Sequence, residues 1–488
     1  MITLSLAEIA EIVGGQTHDI PDTAVPVTGP VVIDSREVRP GALFAAFAGE
    51  RADGHDYARR AVESGAAAVL AARPVGVPAI VVDDVKEALG ALARAVVARL
   101  GATVVGLTGS AGKTSTKDLI AQLLTRIAPT VYTPGSFNNE IGLPLTALRA
   151  DETTRHLVLE MGARGIGHIR YLTALTPPRI GVVLNVGTAH IGEFGGREQI
   201  AEAKGELVET LPPAQDGPEG PQGQDDGGRR AGGIAVLNAD DPLVRAMASR
   251  TKARVVLFGE ADDADVRAEN VRLTAAGQPA FRLHTPSGCS DVTMRLYGEH
   301  HVSNALAAAA VAHELGMPAD EIALALSEAG TLSRWRMEVT ERSDGVTVVN
   351  DAYNANPESM RAALRALAAM GRGRRTWAVL GPMAELGEES LAEHDAVGRL
   401  AVRLNVSKLV AVGGREASWL QMGAYNEGSW GEESVHVSDA RAAVDLLRSE
   451  LRPGDVVLVK ASRSAGLERV ALALLEEGGA TEGEVAGR

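Results

Sequence analysis

The chain is poor in cysteine and in aromatic residues. One cysteine, Cys289, occurs among 488 residues, so an intramolecular disulfide and a cysteine-based metal site are both excluded. This usage fits a reducing cytoplasm, which is the expected location. Aromatic residues make up 3% of the chain, and the formal net charge is -15. Both values argue against a surface that stacks bases or neutralises a phosphate backbone, so no nucleic-acid partner is expected.

Long apolar runs are also absent. No stretch reaches the roughly 20 consecutive apolar residues that a membrane helix requires. The opening residues, "MITLSLAEIAEIVGG", carry acids but no basic region, so we expect neither a signal peptide nor membrane insertion. The shorter run "ALAAAAVA" at 305–312 predicts a buried helix.

The length and the spacing of apolar runs indicate an α/β protein with several domains. A chain of 488 residues exceeds one ordinary domain. Strand-like and helical segments alternate in three blocks, at 1–100, 101–330 and 331–480, and this alternation is typical of βαβ units in parallel sheets. Period-2 alternation near 265–296 predicts antiparallel strands appended to the second block. The third block repeats the pattern and predicts a second doubly wound sheet.

One segment lacks the apolar residues that a core needs. Residues 212–233, "PPAQDGPEGPQGQDDGGRRAGG", are mainly glycine, proline and acids. Because this composition cannot offset the entropy cost of ordering, we expect a disordered insertion between a helix and a strand, without a catalytic role. The C-terminal "EEGGATEGEVAGR" is expected to be a frayed tail.

A glycine-rich loop opens the second block. In "VVGLTGSAGKTSTKDLI" (104–120), β-branched residues lead into T-G-x-x-G-K-T, a variant of the phosphate-loop pattern. Gly109 and Gly112 let backbone N–H groups face phosphate oxygens. Lys113 neutralises phosphate charge, and the Thr114 hydroxyl can bind Mg²⁺. A glycine-rich turn that caps an ordinary helix is the alternative, but the flanking strand and helix favour an ATP or GTP site. The predicted site comprises Thr108, Gly109, Ser110, Ala111, Gly112, Lys113, Thr114 and Ser115.

Three further polar residues are candidates for the same site. Glu160 ends the strand-like run "HLVLEM", and ligands of parallel sheets bind at the carboxyl ends of strands. A helix-capping or surface acid is the alternative for this residue. His190 in "NVGTAHIGEFG" also follows a strand-like run, although a lone loop histidine is more often structural. Lys204 in "AEAKGELVETL" has, from spacing alone, the pattern of a solvated helix lysine.

Segments in all three blocks carry a resemblance to a known family. In the second block these are "TGSAGKTSTK", "LEMGA", "NVGTAHIGEFG" and "AKGEL". In the first block it is "DSREVRPGALFAAFAGERADGHDYARRAVESGAAAVL", and in the third "NDAYNANPESM", "GPMAELGEES" and "VKASRS". Together they resemble the Mur ligases, the ATP-dependent amide ligases of bacterial cell-wall synthesis. The resemblance implies an N-terminal UDP-sugar-binding domain, a central ATP-binding domain with a parallel sheet, and a C-terminal Rossmann-like domain.

The resemblance also implies roles for individual residues. It makes Lys204 a carbamylated lysine, in which CO₂ has converted a cation into a carboxylate-like group. Carbamylation requires a neutral amine, so the lysine pKa must be depressed. The chain departs from the family pattern at His301, Pro382 and Ala461. These departures bear on local loop details more than on the reaction. The implied site contains Lys113, His190 and Lys204 in catalysis; Asn304, Arg336 and Asp351 at ATP; Thr114, Glu160, His190 and Lys204 at two Mg²⁺ sites; Asn138 and Asn139 at the peptidyl substrate; and Ser35 and Arg36 near the uridine sugar.

Two motifs point to one branch of the family. "YNANPESM" and "MAELG" resemble the branch that joins D-Ala-D-Ala to UDP-MurNAc-tripeptide through an acyl phosphate, and the third block lacks the D-N-P-R-like motif of the ligase that adds diaminopimelate or lysine. That ligase, a folylpolyglutamate synthase and a non-catalytic nucleotide-dependent regulator are the alternatives. The first block counts against the folate enzyme, which has no UDP-sugar domain. A monomer is expected.

Overall fold

The computed structural model describes residues 1–49, 52–187, 191–214 and 232–477. Within these residues the strands form three larger sheets and one two-stranded ribbon. Each larger sheet belongs to one of the three blocks of sequence and is flanked by helices, which confirms the α/β class. The domain limits at residues 100 and 330 stay predictions.

The N-terminal region contains a small mixed sheet. Its elements are β1 (Leu4–Ser5), α1 (Leu6–Val13), β2 (Gln16–His18), β3 (Pro26–Val27), β4 (Val31–Val32), β5 (Leu43–Ala45), α2 (Ala58–Glu63), β6 (Ala68–Ala71), β7 (Ala79–Val81) and α3 (Val85–Leu100). Strands β4 to β7 are parallel, and β2 pairs antiparallel with β7. The side chain of Asp84 caps α3, and Gly101 ends it with a left-handed φ of 63°.

The central region contains the largest sheet. Its elements are β8 (Thr103–Thr108), α4 (Lys113–Ile127), β9 (Thr130–Tyr132), α5 (Gly142–Ala147), β10 (His156–Glu160), α6 (His168–Leu175), β11 (Ile180–Val183), α7 (Ile191–Phe194), α8 (Arg197–Glu209), β12 (Ile234–Asn238), α9 (Pro242–Arg245), β13 (Arg254–Gly259), β14 (Val266–Leu273), β15 (Pro279–Thr285), β16 (Gly288–Thr293), α10 (His301–Glu314) and α11 (Ala319–Glu328). The strand order is β16-β15-β14-β13-β12-β11-β8-β10-β9. Strands β14 to β16 are antiparallel to one another, as the period-2 alternation predicted.

The C-terminal region repeats the architecture with a third sheet. Its elements are β17 (Glu338–Glu341), β18 (Thr347–Asn350), α12 (Pro357–Met370), β19 (Thr376–Leu380), α13 (Ser390–Arg403), β20 (Lys408–Val412), α14 (Arg415–Asn426), β21 (Ser434–Val437), α15 (Ala440–Glu450), β22 (Val456–Lys460) and α16 (Glu468–Glu477). The strand order is β17-β18-β22-β19-β20-β21, with β17 as the antiparallel edge.

Burial explains why the central strands read as continuous apolar runs. Every residue of β10, β11 and β12 is buried, because helices cover both faces of this parallel sheet. On one face lies α10, whose residues are buried from His301 to Ala312 with few exceptions, as predicted for "ALAAAAVA". The loops that follow β8, β10 and β11 therefore meet at one edge of the sheet, where the polar candidates lie.

Two predictions concern segments at the margin of what the structure describes. Most of the proposed insertion, residues 215–231, and the tail from residue 478 onward lie outside the described residues. The flanks of the insertion do lie between α8 and β12, and the N–H of Gly233 donates to the carbonyl of Pro212 at 3.2 Å. Within the described chain, every helix is too short or too polar to cross a lipid bilayer.

Candidate active site

The glycine-rich loop connects β8 to α4 and leaves the start of that helix uncapped by a side chain. The N-cap residue is Gly112, with a left-handed φ of 79°. A Cβ at this position would lie 2.6 Å from Oδ1 of Asn304, so only glycine fits here. The free N-terminal N–H groups of a helix and its dipole favour an anion. The geometry therefore matches the predicted phosphate site.

A neighbouring loop braces the glycine-rich loop. Oδ1 of Asn185 accepts hydrogen bonds from the N–H groups of Ser110 (3.0 Å) and Ala111 (2.9 Å), and its Nδ2 donates to the carbonyl of Ala111 (3.1 Å). The N–H of Gly187 donates to Oγ of Ser110 at 2.9 Å. These contacts hold the loop in shape, and the N–H groups of the first turn of α4 can face an anion.

Lys113 lies at the base of this loop. Its Nζ donates to the carbonyl of Gly109 at 2.8 Å. Burial lowers the pKa of Lys113, while the carboxylate of Glu160 counteracts this and the guanidinium of Arg336 adds to it. The ammonium is therefore placed where a bound anion would stabilise its charge.

Glu160 lies beside the start of α4. One of its oxygens, Oε2, accepts from the hydroxyl of Thr114 at 2.9 Å, and Oε1 accepts from Nδ2 of Asn138 at 2.8 Å. Glu160 is buried at the end of β10, so the alternative of a surface acid is wrong. The side chain of Asn139 contacts the first residue of α5, because its Oδ1 accepts from the N–H of Gly142 at 2.9 Å.

Lys204 is buried, and the interpretation as a solvated helix lysine is therefore wrong. Lys204 lies on α8, and the residue is 4% exposed. Burial and, second, the like charge of Lys113 lower the pKa of Lys204 well below its ordinary value. The helix is amphipathic only weakly, which is why spacing could not reveal which face is covered. Two residues on, the buried Glu206 fixes α8 against the start of α6 by accepting from the N–H of Arg170 at 3.0 Å.

The C-terminal region supplies the opposite wall. Nη2 of Arg336 donates to Oγ1 of Thr114 (3.2 Å) and to Oγ of Ser136 (3.3 Å). The carboxylate of Asp351 forms a buried ion pair with Lys460 at 2.6 Å. Burial lowers the pKa of Lys460, and Asp351 opposes this effect. Residues more than 200 positions apart in sequence thus meet at the phosphate loop.

These residues line one cleft of about 760 Å³ between the central and C-terminal regions. Ser35 and Arg36 lie elsewhere, in the N-terminal region, where Nε of Arg36 donates to Asp34 at 2.9 Å. His190 lies outside the described residues. The predicted residues that line the cleft are Ser110, Ala111, Gly112, Lys113, Thr114, Ser115, Asn138, Asn139, Glu160, Lys204, Asn304, Arg336 and Asp351.

The cleft also contains residues that were not among the predicted ones, and Asn185, Lys460 and Asn356 are three of them. Asn185 follows β11, so the rule that found Glu160 at a strand end could also have found it. The same rule could have found Lys460, which is the last residue of β22. Asn356 caps α12 and donates through Nδ2 to the carbonyl of Ser110 at 3.2 Å. The sequence can indicate that Asn356 caps a helix, but it does not indicate the hydrogen bond from Asn356 to Ser110.

Comparison with family models identifies the architecture. A Mur ligase family catalytic-domain model matches residues 30–100, the Mur ligase middle-domain model matches 107–312, and the Mur ligase glutamate ligase domain model matches 335–463. These matches fall on the three sheet regions in turn. They cover most of the chain.

Individual relatives share this architecture along their whole length. The UDP-N-acetylmuramoyl-tripeptide–D-alanyl-D-alanine ligase of Mycobacterium tuberculosis is 51% identical, with 98% of each chain covered. A crystal structure of MurF from Acinetobacter baumannii superimposes with a TM-score of 0.82 at 30% identity, covering 97% of this chain and 99% of the other. The structure of MurF from Thermotoga maritima in complex with ADP superimposes with a TM-score of 0.76 at 31% identity. The match covers 92% of this chain and 98% of the other. The chain belongs to the Mur ligase family.

Proposed function

We propose that this chain is the ATP-dependent ligase that joins D-Ala-D-Ala to UDP-MurNAc-tripeptide in peptidoglycan precursor synthesis. The observation that carries the proposal is the cleft in which Lys113, Thr114, Glu160 and Arg336 converge on an uncapped helix start. The relative from M. tuberculosis, at 51% identity over 98% of each chain, bears the name of this activity. We place the enzyme in the cytoplasm and propose that it acts as a monomer.

The first step joins two anions, so neutralising their charge is the main task. The terminal carboxylate of the tripeptide attacks the γ-phosphorus of ATP, the bond to the β–γ bridging oxygen breaks, and an acyl phosphate and ADP form. Lys113 and Arg336 supply positive charge at the transferred phosphoryl group, and the first turn of α4 supplies N–H donors. Asn304 and Asp351 line the same cleft, and we propose that they contact the nucleotide from its two walls.

The donor set near the loop fits Mg²⁺. The ion prefers hard oxygen ligands and is usually held by one or two carboxylates together with substrate phosphates and water. Thr114 and Glu160, which are hydrogen-bonded to each other at 2.9 Å, offer such oxygens, although the described residues contain no cluster of three or more His, Cys, Asp or Glu side chains for a metal. Bound there, Mg²⁺ would neutralise charge on the β- and γ-phosphates. His190 and a modified Lys204 are the proposed ligands of a second ion.

The surroundings of Lys204 favour carbamylation. The reaction requires the neutral amine, and burial beside Lys113 lowers the pKa of Lys204 and so favours that form. Attack of the amine on CO₂ forms an N–C bond and releases one proton, which leaves an anionic carbamate. This anion replaces the repulsion between two lysines by an attraction and presents oxygens to the cleft.

In the second step the amine of D-Ala-D-Ala attacks the acyl carbon. The resulting tetrahedral intermediate collapses, the C–O bond to phosphate breaks, and an amide and inorganic phosphate are released. The acyl phosphate must be kept from water, and a cleft walled by two regions serves this purpose. Asn138 and Asn139, which precede α5, face the peptidyl part of the substrate. Ser35 and Arg36, in the N-terminal region, bind its uridine end.

Phosphate release with single omissions tests the proposal. The full mixture contains UDP-MurNAc-tripeptide, D-Ala-D-Ala, ATP and Mg²⁺, and each component is left out in turn. We expect release only from the full mixture, because neither half-reaction turns over alone. Slow phosphate release that does not depend on D-Ala-D-Ala would indicate a nucleotide-dependent regulator. Release that requires diaminopimelate or lysine with a dipeptide acceptor would indicate the neighbouring ligase.

A further inference from the structure

The helix that carries the phosphate loop also holds the segment that leads into the C-terminal region. This interdomain segment, residues 330–337, connects α11 to β17. Near the middle of α4, Gln122 forms a reciprocal pair of hydrogen bonds with it. Its Nε2 donates to the carbonyl of Gly330 at 3.0 Å, and its Oε1 accepts from the N–H of Gly330 at 3.0 Å. The start of the segment is therefore fixed to α4.

A buried ion pair on α4 fixes the middle of the segment. The side chains of Lys117 and Asp118 pair with each other and are 1% and 7% exposed. The N–H of Ser333 donates to Oδ2 of Asp118 at 3.0 Å, and Nζ of Lys117 donates to Oγ of Ser333 at 3.3 Å. The ring of Tyr132 lies 5.5 Å from the same ammonium. We call Lys117, Asp118 and Gln122 the latch residues.

Beyond the latch the backbone is strained. Trp335 and Met337 have φ values of 59° and 48°, in the left-handed region that bulky side chains rarely adopt. The N–H of Met337 donates to Oδ1 of Asp351 at 3.1 Å, and the N–H of Tyr353 donates to the carbonyl of Trp335 at 3.2 Å. Such a conformation persists only when its surroundings impose it, and here contacts act on both sides of the strained residues.

The strained path delivers one side chain to the phosphate loop. Arg336 lies between the two strained residues, and its Nη2 reaches the hydroxyls of Thr114 and Ser136. Its guanidinium also lies 4.4 Å from the centroid of the Tyr353 ring. Thr114 lies on the same helix as the latch, one turn before Asp118. The latch residues and Thr114, which Arg336 contacts, are thus held at fixed positions along the same helix.

We propose that Lys117, Asp118 and Gln122 are positioning residues that act through Arg336. They hold residues 330–337 in the path that sets this guanidinium against the phosphate loop, and so they couple the C-terminal region to the nucleotide. The catalytic part of this inference rests on the proposed function, whereas the structural part does not. A released segment would let Trp335 and Met337 relax and would move Arg336 away from Thr114.

The first experiment replaces the ion pair as a whole. The double variant Lys117→Met/Asp118→Leu leaves neither charge buried and unpaired, so it is expected to fold. We expect kcat/KM for ATP to fall at least tenfold. In a double-mutant cycle, adding Arg336→Ala should lower activity no further than Arg336→Ala does alone, because both changes remove the same contact. Arg126→Ala, which breaks an exposed ion pair between α4 and Glu328, is the matched control and should change activity less than twofold.

A second readout does not depend on ligase activity. Hydrogen exchange of the backbone amides of Ser333 and Met337 is measured in the wild type, the double variant and the control. We expect faster exchange at both positions in the double variant, even though the hydrogen bond from Met337 to Asp351 is untouched. Gln122→Ala, which leaves the buried charges intact, should show the same effect to a smaller degree and serves if the double variant does not fold.

Two results would overturn the inference. Activity losses that multiply in the cycle would mean that the latch and Arg336 act independently. Unchanged exchange at Met337 in the folded variants would mean that the latch does not control the strained residues. If the wild type shows no ligase activity, the proposed function fails, but the exchange result still decides whether the latch holds the segment.

Discussion

The side chain of Lys204 shows how strongly an environment can change the meaning of a residue. Its position in the sequence predicts a solvated cation, whereas the folded chain buries it beside Lys113 and favours the neutral amine. Burial depends on which elements pack against α8, and local spacing does not encode that. The family resemblance implied a site role for this residue, because motifs carry information about tertiary surroundings that periodicity does not. In the structure Lys204 lines the cleft, and its role there stays a prediction.

Replacing Lys204 tests the carbamate. We expect Lys204→Ala to lower kcat about a hundredfold or more, because a preorganised charge in the cleft is lost. Added acetate or formate should restore part of the rate by supplying the missing carboxylate. Lys252→Ala, at an exposed position, is the control. Normal turnover of Lys204→Ala without added carboxylate would refute the role.

Lys113 is expected to act on the transferred phosphoryl group. Lys113→Ala should lower kcat/KM for ATP by roughly a hundredfold to a thousandfold, since one stabilising charge in the transition state disappears. Steady-state release of phosphate with all substrates present measures the effect. Retention of the wild-type value would show that the glycine-rich loop binds no reacting phosphate.

Some helices and strands could be predicted from the sequence better than others. The buried parallel strands were predicted from apolar runs, and the loops at their carboxyl ends indicated Glu160. The edge strand β17 and the strand β21 were not predicted, because edge strands are short and partly exposed and so lack a continuous run. For α10 the apolar run was clear, but its polar N-terminal end, where the ring centroids of His300 and His301 lie 4.3 Å apart, gave no signal of burial.

The start of α10 makes stability depend on pH. Burial lowers the pKa of His300 to about 4, with Asp351 opposing and Lys460 assisting this shift. The unfolded chain binds a proton near pH 6.5, so between that value and pH 4 it holds more protons than the folded chain, and stability falls as pH falls. In His300→Asn, the difference in unfolding free energy between pH 7 and pH 4.5 should shrink by about 1–3 kcal/mol.

Chemical denaturation at the two pH values measures this difference. His18→Asn, on β2 in another region, is the control and should leave it unchanged. Equal pH dependence in the wild type and in His300→Asn would show that the histidine titrates at its ordinary value in the folded chain.

At the scale of the whole molecule, the cleft itself could not be predicted from local patterns. Arg336 and Thr114 are 222 positions apart, and no periodicity relates the start of α4 in the second block to the linker at the start of the third. The blocks, the sheets and the phosphate loop follow from local sequence, whereas the arrangement of two regions around the loop depends on the folded contacts between them. The strained residues Trp335 and Met337 lie in that linker, where local rules are expected to fail.

The flanks of the insertion allow a prediction about the segment between them. The N–H of Gly233 donates to the carbonyl of Pro212, and the N–H of Ala214 donates to the carbonyl of Lys252 at 2.8 Å, so the two ends are already close. Replacing residues 215–231 by a short Gly-Ser linker should change kcat less than twofold and the melting temperature by only a few degrees, because loop length costs little entropy. A large loss of activity at an unchanged melting temperature would assign this segment a function.

The mass of the UDP-linked product shows directly which amide bond the chain forms. The chain is incubated with UDP-MurNAc-tripeptide, D-Ala-D-Ala, ATP and Mg²⁺, and the product is identified by mass spectrometry. We expect a UDP-MurNAc-pentapeptide, heavier than the substrate by D-Ala-D-Ala less one water, with one phosphate released for each product. Phosphate release with an unchanged UDP-linked substrate would contradict this expectation.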